Sequence, residues 1–182
     1  MFKIIALMGE AGSGKDTLMH CLSQKRPNTF NEIISCTTRP IREGEQHGIN
    51  YFYLTLEEFN QKVKNNEMLE ISSFNGWMYG VSLDALSAEK PNIGVFNPEG
   101  VRAMLAMPHI DLLVYRIICS DKNRLLRQLN RENNQNVDEI IRRYSTDKKD
   151  FSHLDFKYTE IDNNNKEDLE LAAKAILNQL GL

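Results

Sequence analysis

Cys21, Cys36 and Cys119 are too few and too scattered for a disulfide framework or a zinc clamp, because no two lie at metal-ligand spacing. They read as reduced thiols of a cytoplasmic protein. An excess of one charge is missing as well. With 22 basic against 25 acidic side chains the formal charge is −3, so no global field holds nucleic acid or an anionic membrane. Any polyanion must therefore meet local clusters of arginine and lysine. Long apolar runs are also lacking. Residues 2–8 are too short a run for a signal peptide, and nothing later approaches the roughly 20 apolar residues of a membrane-spanning helix. The four histidines, His20, His47, His109 and His153, show neither metal-binding nor nucleophile spacing. These absences predict a cytoplasmic protein that engages neither membrane nor nucleic acid, and they leave monomer and homodimer both open.

What is present is ample for one buried core: 182 residues, 41% of them hydrophobic. Strand-length apolar runs at residues 2–8, 30–36, 93–96, 110–119 and 158–161 alternate with amphipathic stretches at 16–25, 98–104, 120–129 and 165–180. Asn97-Pro98 places a cap residue before a proline at the first helical position, Ser120-Asp121 opens another helix, and Gly181 stops the last. The alternation predicts an α/β fold, a mostly parallel sheet flanked by helices. Residues 37–82 break this rhythm. A short strand at 51–54 precedes Thr55-x-x-Glu58, a capping box, and Asn75-Gly76 joins two strand-like runs as a hairpin turn. The segment predicts a small antiparallel lobe inserted into the parallel core. Residues 131–136 are polar, asparagine-rich and hinge-like between two helices.

Gly9-Glu10-Ala11-Gly12-Ser13-Gly14-Lys15 lies between the first strand and the first helix. Glycines let the backbone turn back on itself, so that successive N–H groups converge on phosphate oxygens. The helix N-terminus adds partial positive charge and Lys15 a full one. A surface turn with an incidental lysine is the bland alternative; a strand before and a helix after favour phosphate. Asp16 stands where a hydroxyl usually helps hold magnesium, and Thr17 follows. A carboxylate there is favoured by the helix dipole by roughly 0.3–1 kcal/mol.

Residues 35–45, Ser-Cys-Thr-Thr-Arg-Pro-Ile-Arg-Glu-Gly-Glu, followed by Gly48-Ile49-Asn50-Tyr51-Phe52, closely resemble the acceptor-nucleotide lobe of guanylate kinases. Met68-Leu69-Glu70, Met78-Tyr79-Gly80 and the glycine turn extend the resemblance over nearly the whole chain, more weakly after about residue 90. It implies a P-loop core at residues 1–34, 86–125 and 152–182, a lobe for the nucleoside monophosphate at 35–85, and a helical lid at 126–151 that closes over ATP and expels water. The implied reaction moves the terminal phosphoryl group of Mg-ATP onto GMP or dGMP. Arg39 and Arg42, three apart in a loop, can fork onto one phosphate, and in the family Tyr51 and Tyr79 present hydroxyls to the same group. Glu70 resembles the carboxylate that accepts guanine's N1–H and N2–H₂, with Ser35 as the matching polar contact. Glu10, Ala11, Ser13 and the other turn residues through Thr17 fall to ATP, with Asp162 near the family's adenine-contacting position. Arg131 and Arg143 resemble lid arginines, flanked by Arg127 and Arg142, and join Lys15 and Arg39 as the cations of the transfer. Magnesium is expected on phosphates and water, with Asp16 or Thr17 as the available protein oxygens.

Two departures bear on the base. Val81 stands where the family has serine or threonine, with Ser82 one residue late and on the opposite strand face. Val95 and Asn97 replace acidic residues. A broader deoxynucleoside monophosphate kinase is therefore a second reading, and a non-catalytic binding module of the same descent a third.

Overall fold

The computed structural model describes residues 1–42, 44–74, 76–130, 137–165 and 167–182. Its strands are β1 (Phe2–Met8), β2 (Asn31–Glu32), β3 (Cys36–Thr37), β4 (Phe52–Tyr53), β5 (Met68–Phe74), β6 (Trp77–Ser82), β7 (Asn92–Val95), β8 (Ile110–Ile118) and β9 (Thr159–Asp162). The helices are α1 (Lys15–Lys25), α2 (Leu56–Lys64), α3 (Pro98–Leu105), α4 (Asp121–Leu129), α5 (Val137–Asp150) and α6 (Asp168–Leu180). Among the described residues one sheet runs in the order β2-β7-β1-β8-β9 and a second in the order β4-β3-β6-β5. The parallel α/β layout expected from the alternation is present.

By contact density the chain divides into two units, Met1–Ala6 with Thr29–Leu113, and Leu7–Asn28 with Val114–Leu182. In the first, β2 pairs with β7 in parallel, Asn31 opposite Asn92. The β5–β6 hairpin is in register from Phe74↔Trp77 to Ile71↔Gly80, with an irregularity between Met68 and Glu70. Helix α2 starts at the predicted capping box: Thr55 accepts from the Glu58 amide at 3.1 Å and its own amide donates to Glu58 Oε2 at 2.7 Å. Its Phe59 is fully buried. Helix α3 is capped by Asn97, whose side chain accepts from the Gly100 amide at 2.8 Å.

In the second unit, β8 and β9 pair in parallel from Tyr115↔Thr159 to Ile118↔Asp162. Helix α1 buries Leu18 and Leu22, and α6 buries Ala172, Ala173, Ile176 and Leu177, the apolar stripes that their spacing predicts. Ser120 caps α4, and Gly181, at φ 73°, ends α6.

Two expectations need correction. The run at 30–36 is not one strand. The Ile33 amide still bonds the Ile93 carbonyl at 2.8 Å, but the Ser35 carbonyl already accepts from Phe52, so the chain changes sheets within the run. Nor is the inserted sheet wholly antiparallel, because β3 and β4 run parallel, Cys36↔Phe52 and Thr37↔Tyr53. The excursion from 38 to 51 supplies the length that a parallel connection needs.

Candidate active site

In the second unit, the turn after β1 carries Gly12 at φ 79° and Gly14, the α1 N-cap, at φ 98°. A side chain on Gly12 would strike the Arg124 carbonyl at 2.6 Å, so both backbone angle and space require glycine there. Every carbonyl from residue 10 to 14 is occupied by the protein itself. Glu10 accepts from the Ser13 amide at 3.1 Å; Ala11 accepts from Arg124 Nε at 3.1 Å and Gln128 Nε2 at 3.4 Å. Arg127 Nη1 reaches the Gly12 and Ser13 carbonyls, both at 3.3 Å, and Asn163 Nδ2 donates to Ser13 at 2.6 Å. Gly14 accepts the first helical bond of α1, from Leu18 at 3.0 Å. The amides of Lys15, Asp16 and Thr17 precede that bond and have no carbonyl within the helix. With carbonyls turned to protein and helix-start amides left over, the turn is built for an anion.

The supports come from distant segments. Glu10 accepts from Arg116 on β8 at 3.2 Å. The Ala11 amide donates to Asp147 Oδ2 at 2.6 Å, and Asp147 pairs with Arg124 at 3.2 Å. Arg124 is 2% exposed. Burial pushes the Asp147 carboxyl up, opposed by the Ala11 amide and by the charges of Lys15 and Arg124. Asp16 and Thr17 are exposed on the first turn of α1.

Asp162 is exposed at the end of β9, its Oδ1 accepting from the Asn164 amide at 3.0 Å. The neighbouring Asn163, buried at 2% exposure, is the residue that meets the turn, and the sequence reading missed it. Arg143 lies on α5, its Nε on Glu139 at 2.8 Å; Arg142 holds the same carboxylate, whose pKa falls to about 2 through hydrogen bonding to Arg142 and Arg143 against the cost of burial. Arg131 lies outside the described residues.

In the first unit, Arg39 is buried and lies over the rings of Tyr51 at 5.4 Å and Tyr53 at 5.5 Å. Tyr51 in turn meets Tyr79 edge-on at 5.9 Å. Three predicted residues, Arg39, Tyr51 and Tyr79, are thus gathered in one place. The hub among them was not foreseen. Glu45 takes both Arg39 terminal nitrogens, at 2.9 and 3.0 Å, the Arg42 amide at 2.9 Å and the Tyr53 hydroxyl at 2.8 Å. Burial works to lower the Arg39 pKa, but the Glu45 carboxylate outweighs it and holds the guanidinium firmly charged. Burial, reinforced by the hydroxyl's bond to Glu45, pushes Tyr53 up to about 12. Only the order of residues 39–53 could have hinted at this hub, through an acid among basic and aromatic neighbours.

Glu70 lies on β5, 6% exposed, and its Oε2 has no hydrogen-bond partner among the described residues. Burial, reinforced by the charge of Glu99, raises its pKa to about 8 against a bond from the Val81 amide. Oε2 faces α3 so closely that a side chain on Gly100 would meet it at 2.9 Å. Val81, directly across the hairpin, is wholly buried and apolar. Ser82 turns away, its hydroxyl on the Glu67 carbonyl at 3.3 Å, as strand alternation requires. Asn97 spends its oxygen on the α3 cap and its amide on Ser72 Oγ at 2.9 Å. Ser35 is half-buried in the coil before β3.

A glycine turn between strand and helix, with the first amides of α1 outside the helical ladder, in a parallel α/β fold is an arrangement suited to a phosphate group. A family model described as guanylate kinase matches residues 1–180, and the chain belongs to the guanylate kinase family. It is 38% identical over 133 residues to a guanylate kinase of Shouchella clausii, 63% of each chain, and 28% identical over 168 residues to one of Fusobacterium nucleatum, 90% of this chain and 88% of that one. The matches to the Shouchella and Synechococcus relatives span 63% and 59% of those proteins, under two thirds of their length. A crystal structure of guanylate kinase from Anaplasma phagocytophilum shares the fold, with a TM-score of 0.74 at 23% identity over 98% of this chain and 84% of that one.

Proposed function

We infer that this chain is a nucleoside monophosphate kinase that transfers the γ-phosphoryl group of Mg-ATP to GMP or dGMP, forming the diphosphate and ADP. The observation that carries the acceptor's identity is Glu70, a buried carboxyl with one oxygen that no donor reaches among the described residues. Guanine offers N1–H and N2–H₂ side by side, a donor pair matched to one carboxylate, and adenine offers none. In this reading Ser35 and Asn97 lie beside the base, while Arg39, Arg42, Tyr51 and Tyr79 grip the acceptor phosphate. The ATP phosphates take the turn from Gly9 to Thr17, and Asp162 lies towards the adenine. Lys15, Arg39, Arg131 and Arg143 spread their charge over the moving group's oxygens. Residues 35–85 then form the acceptor lobe and 126–151 the lid.

Magnesium fits this chain as an ion brought in on phosphates. Among the described residues no three His, Cys, Asp or Glu side chains form a metal cage, and a magnesium ion that keeps its waters and phosphates needs only one or two protein oxygens, for which Asp16 or Thr17 is available. When bound it neutralises charge on the β- and γ-oxygens.

A coupled assay across GMP, dGMP, AMP, dTMP and CMP with Mg-ATP tests the assignment. Turnover with GMP or dGMP should exceed the rest by about a hundredfold. Comparable turnover with dTMP and CMP would instead favour the broader deoxynucleoside monophosphate kinase, the reading that the apolar Val81 beside Glu70 supports. Failure to bind ATP would leave a non-catalytic module.

A further inference from the structure

The two main-chain polar groups of Ala11 are closed into a ring by two helices distant in sequence. Its amide donates to Asp147 of α5 at 2.6 Å, its carbonyl accepts from Arg124 of α4 at 3.1 Å, and Arg124 and Asp147 bond each other at 3.2 Å. Arg124 also reaches Asp121 at 3.1 Å, and its guanidinium lies over the Tyr144 ring at 5.5 Å. Gln128, 7% exposed, adds a second donor to the Ala11 carbonyl. A buried ion pair is a poor way to stabilise a fold, since apolar residues of similar volume do as well or better. Here the pair stands where it blocks rotation of the two peptide planes flanking Ala11. Those planes set which way the next amides and carbonyls of the turn point.

We propose that Arg124 and Asp147 are positioning residues for the phosphate-binding turn, clamping Ala11 so that the turn is preorganised for the triphosphate before it arrives. Neither side chain touches nucleotide in this account; both act through the Ala11 backbone. The inference rests on the reading of the turn as the ATP site. A clamp of this kind removes an ordering cost from binding, so its loss should weaken ATP by about tenfold and leave the acceptor site untouched.

The test compares the wild-type chain with Asp147→Ala and with the double variant Arg124→Leu/Asp147→Ala. Titration calorimetry measures Mg-ATP and GMP binding, steady-state kinetics gives both KM values and kcat, and melting gives stability. Asp147→Ala takes from the buried Arg124 guanidinium its buried carboxylate, leaving it only the exposed Asp121, and should lower Tm sharply. The double variant removes both charges and should regain most of that Tm, yet Kd and KM for ATP should stay raised about tenfold while those for GMP move less than twofold. A double variant that binds ATP like the wild type would overturn the clamp and leave the pair merely structural. Equal weakening of ATP and GMP would overturn it too. If the wild-type chain itself fails to bind Mg-ATP while GMP still binds, the fault lies with the reading of the turn, and the clamp falls with it.

Discussion

In the turn at residues 9–15 the groups left for an anion are the amides at the start of α1; side chains of α4 and Asn163 after β9 hold the carbonyls away, while Asp147 of α5 takes the Ala11 amide and Arg116 of β8 the Glu10 side chain. In the stretch from Cys36 to Tyr53 the anion-seeking groups are side chains, and a neighbour only a few residues off already occupies them. The turn borrows its rigidity from far along the chain; the lobe finds its own locally. Glu70 fits neither pattern, since it is buried with one oxygen unmet. A recognition group preorganised by distant contacts is ready when its ligand comes. One held by a local partner must exchange that partner for the ligand.

The largest effect that would sharpen this contrast is Lys15→Ala. The ammonium follows directly on the turn, and removing it should cost about a thousandfold in kcat through lost transition-state charge stabilisation, with the fold intact by circular dichroism. Near-normal turnover would refute the role assigned to Lys15. Next comes Glu45→Ala, which leaves the buried Arg39 guanidinium without its bidentate partner. Breaking such a pair from one side should destabilise the chain by about 3 kcal/mol in denaturant unfolding. If the local hub is what holds Arg39, GMP should restore much of that loss, because its phosphate offers a replacement anion; stabilisation by ATP but not by GMP would break the comparison.

Glu70→Gln should lower kcat/KM for GMP by roughly 30- to 100-fold, and for AMP hardly at all, because one acceptor becomes a donor. Equal losses across bases would remove the base-reading claim. The same side chain sets a pH dependence. With a folded pKa of about 8 against an ordinary 4.5, the folded chain keeps a proton that the unfolded chain releases between those values. Stability attributable to Glu70 therefore falls as pH rises from 4.5 towards 8, and Glu70→Gln, which imitates the neutral acid, should melt higher than the wild type at pH 8. Guanine binds the charged form, so KM for GMP should fall about tenfold as pH rises from 6 to 7. A flat KM profile with no Tm gain in Glu70→Gln would show that the carboxyl is not held neutral.

The contrast also explains what could be read from the sequence. Features closed within a few residues were legible: the Thr55–Glu58 box, the Asn97 and Ser120 caps, the stop at Gly181 and the hairpin pairing Phe74 with Trp77. The glycine turn was legible as well, since its angles are written in the glycines. Its supports were not. Arg124 and Asp147 are 23 residues apart and each looks like a solvated charge on a helix face until the fold buries it. Asn163 was passed over because the sequence does not separate the strand-end residue that turns inward from the neighbour that turns out. The run at 30–36 misled because hydrophobicity reports burial and is silent on which sheet does the burying.

The smallest effect tests the local side of the comparison alone. Thr55 and Glu58 satisfy each other at the start of α2, with the hydroxyl on Glu58 Oε2 at 2.9 Å, and both are exposed. Thr55→Ala removes the acceptor for the Glu58 amide and should lower Tm by about 2–4 °C, leaving both KM values unchanged, because the box bonds within its own helix start. Its pH behaviour should run opposite to that of Glu70. The Thr55 amide, then the Thr55 hydroxyl, hold Glu58 below its usual pKa, so its contribution is present above the ordinary glutamate value and is lost as pH falls through the folded one. The Tm gap between wild type and Thr55→Ala should accordingly persist from pH 8 to 5 and narrow below about 4, while the gap between wild type and Glu70→Gln opens as pH climbs. Two glutamates of one lobe with opposite signs would separate a carboxylate that is satisfied locally from one whose oxygen awaits a ligand; the same sign for both would erase that distinction.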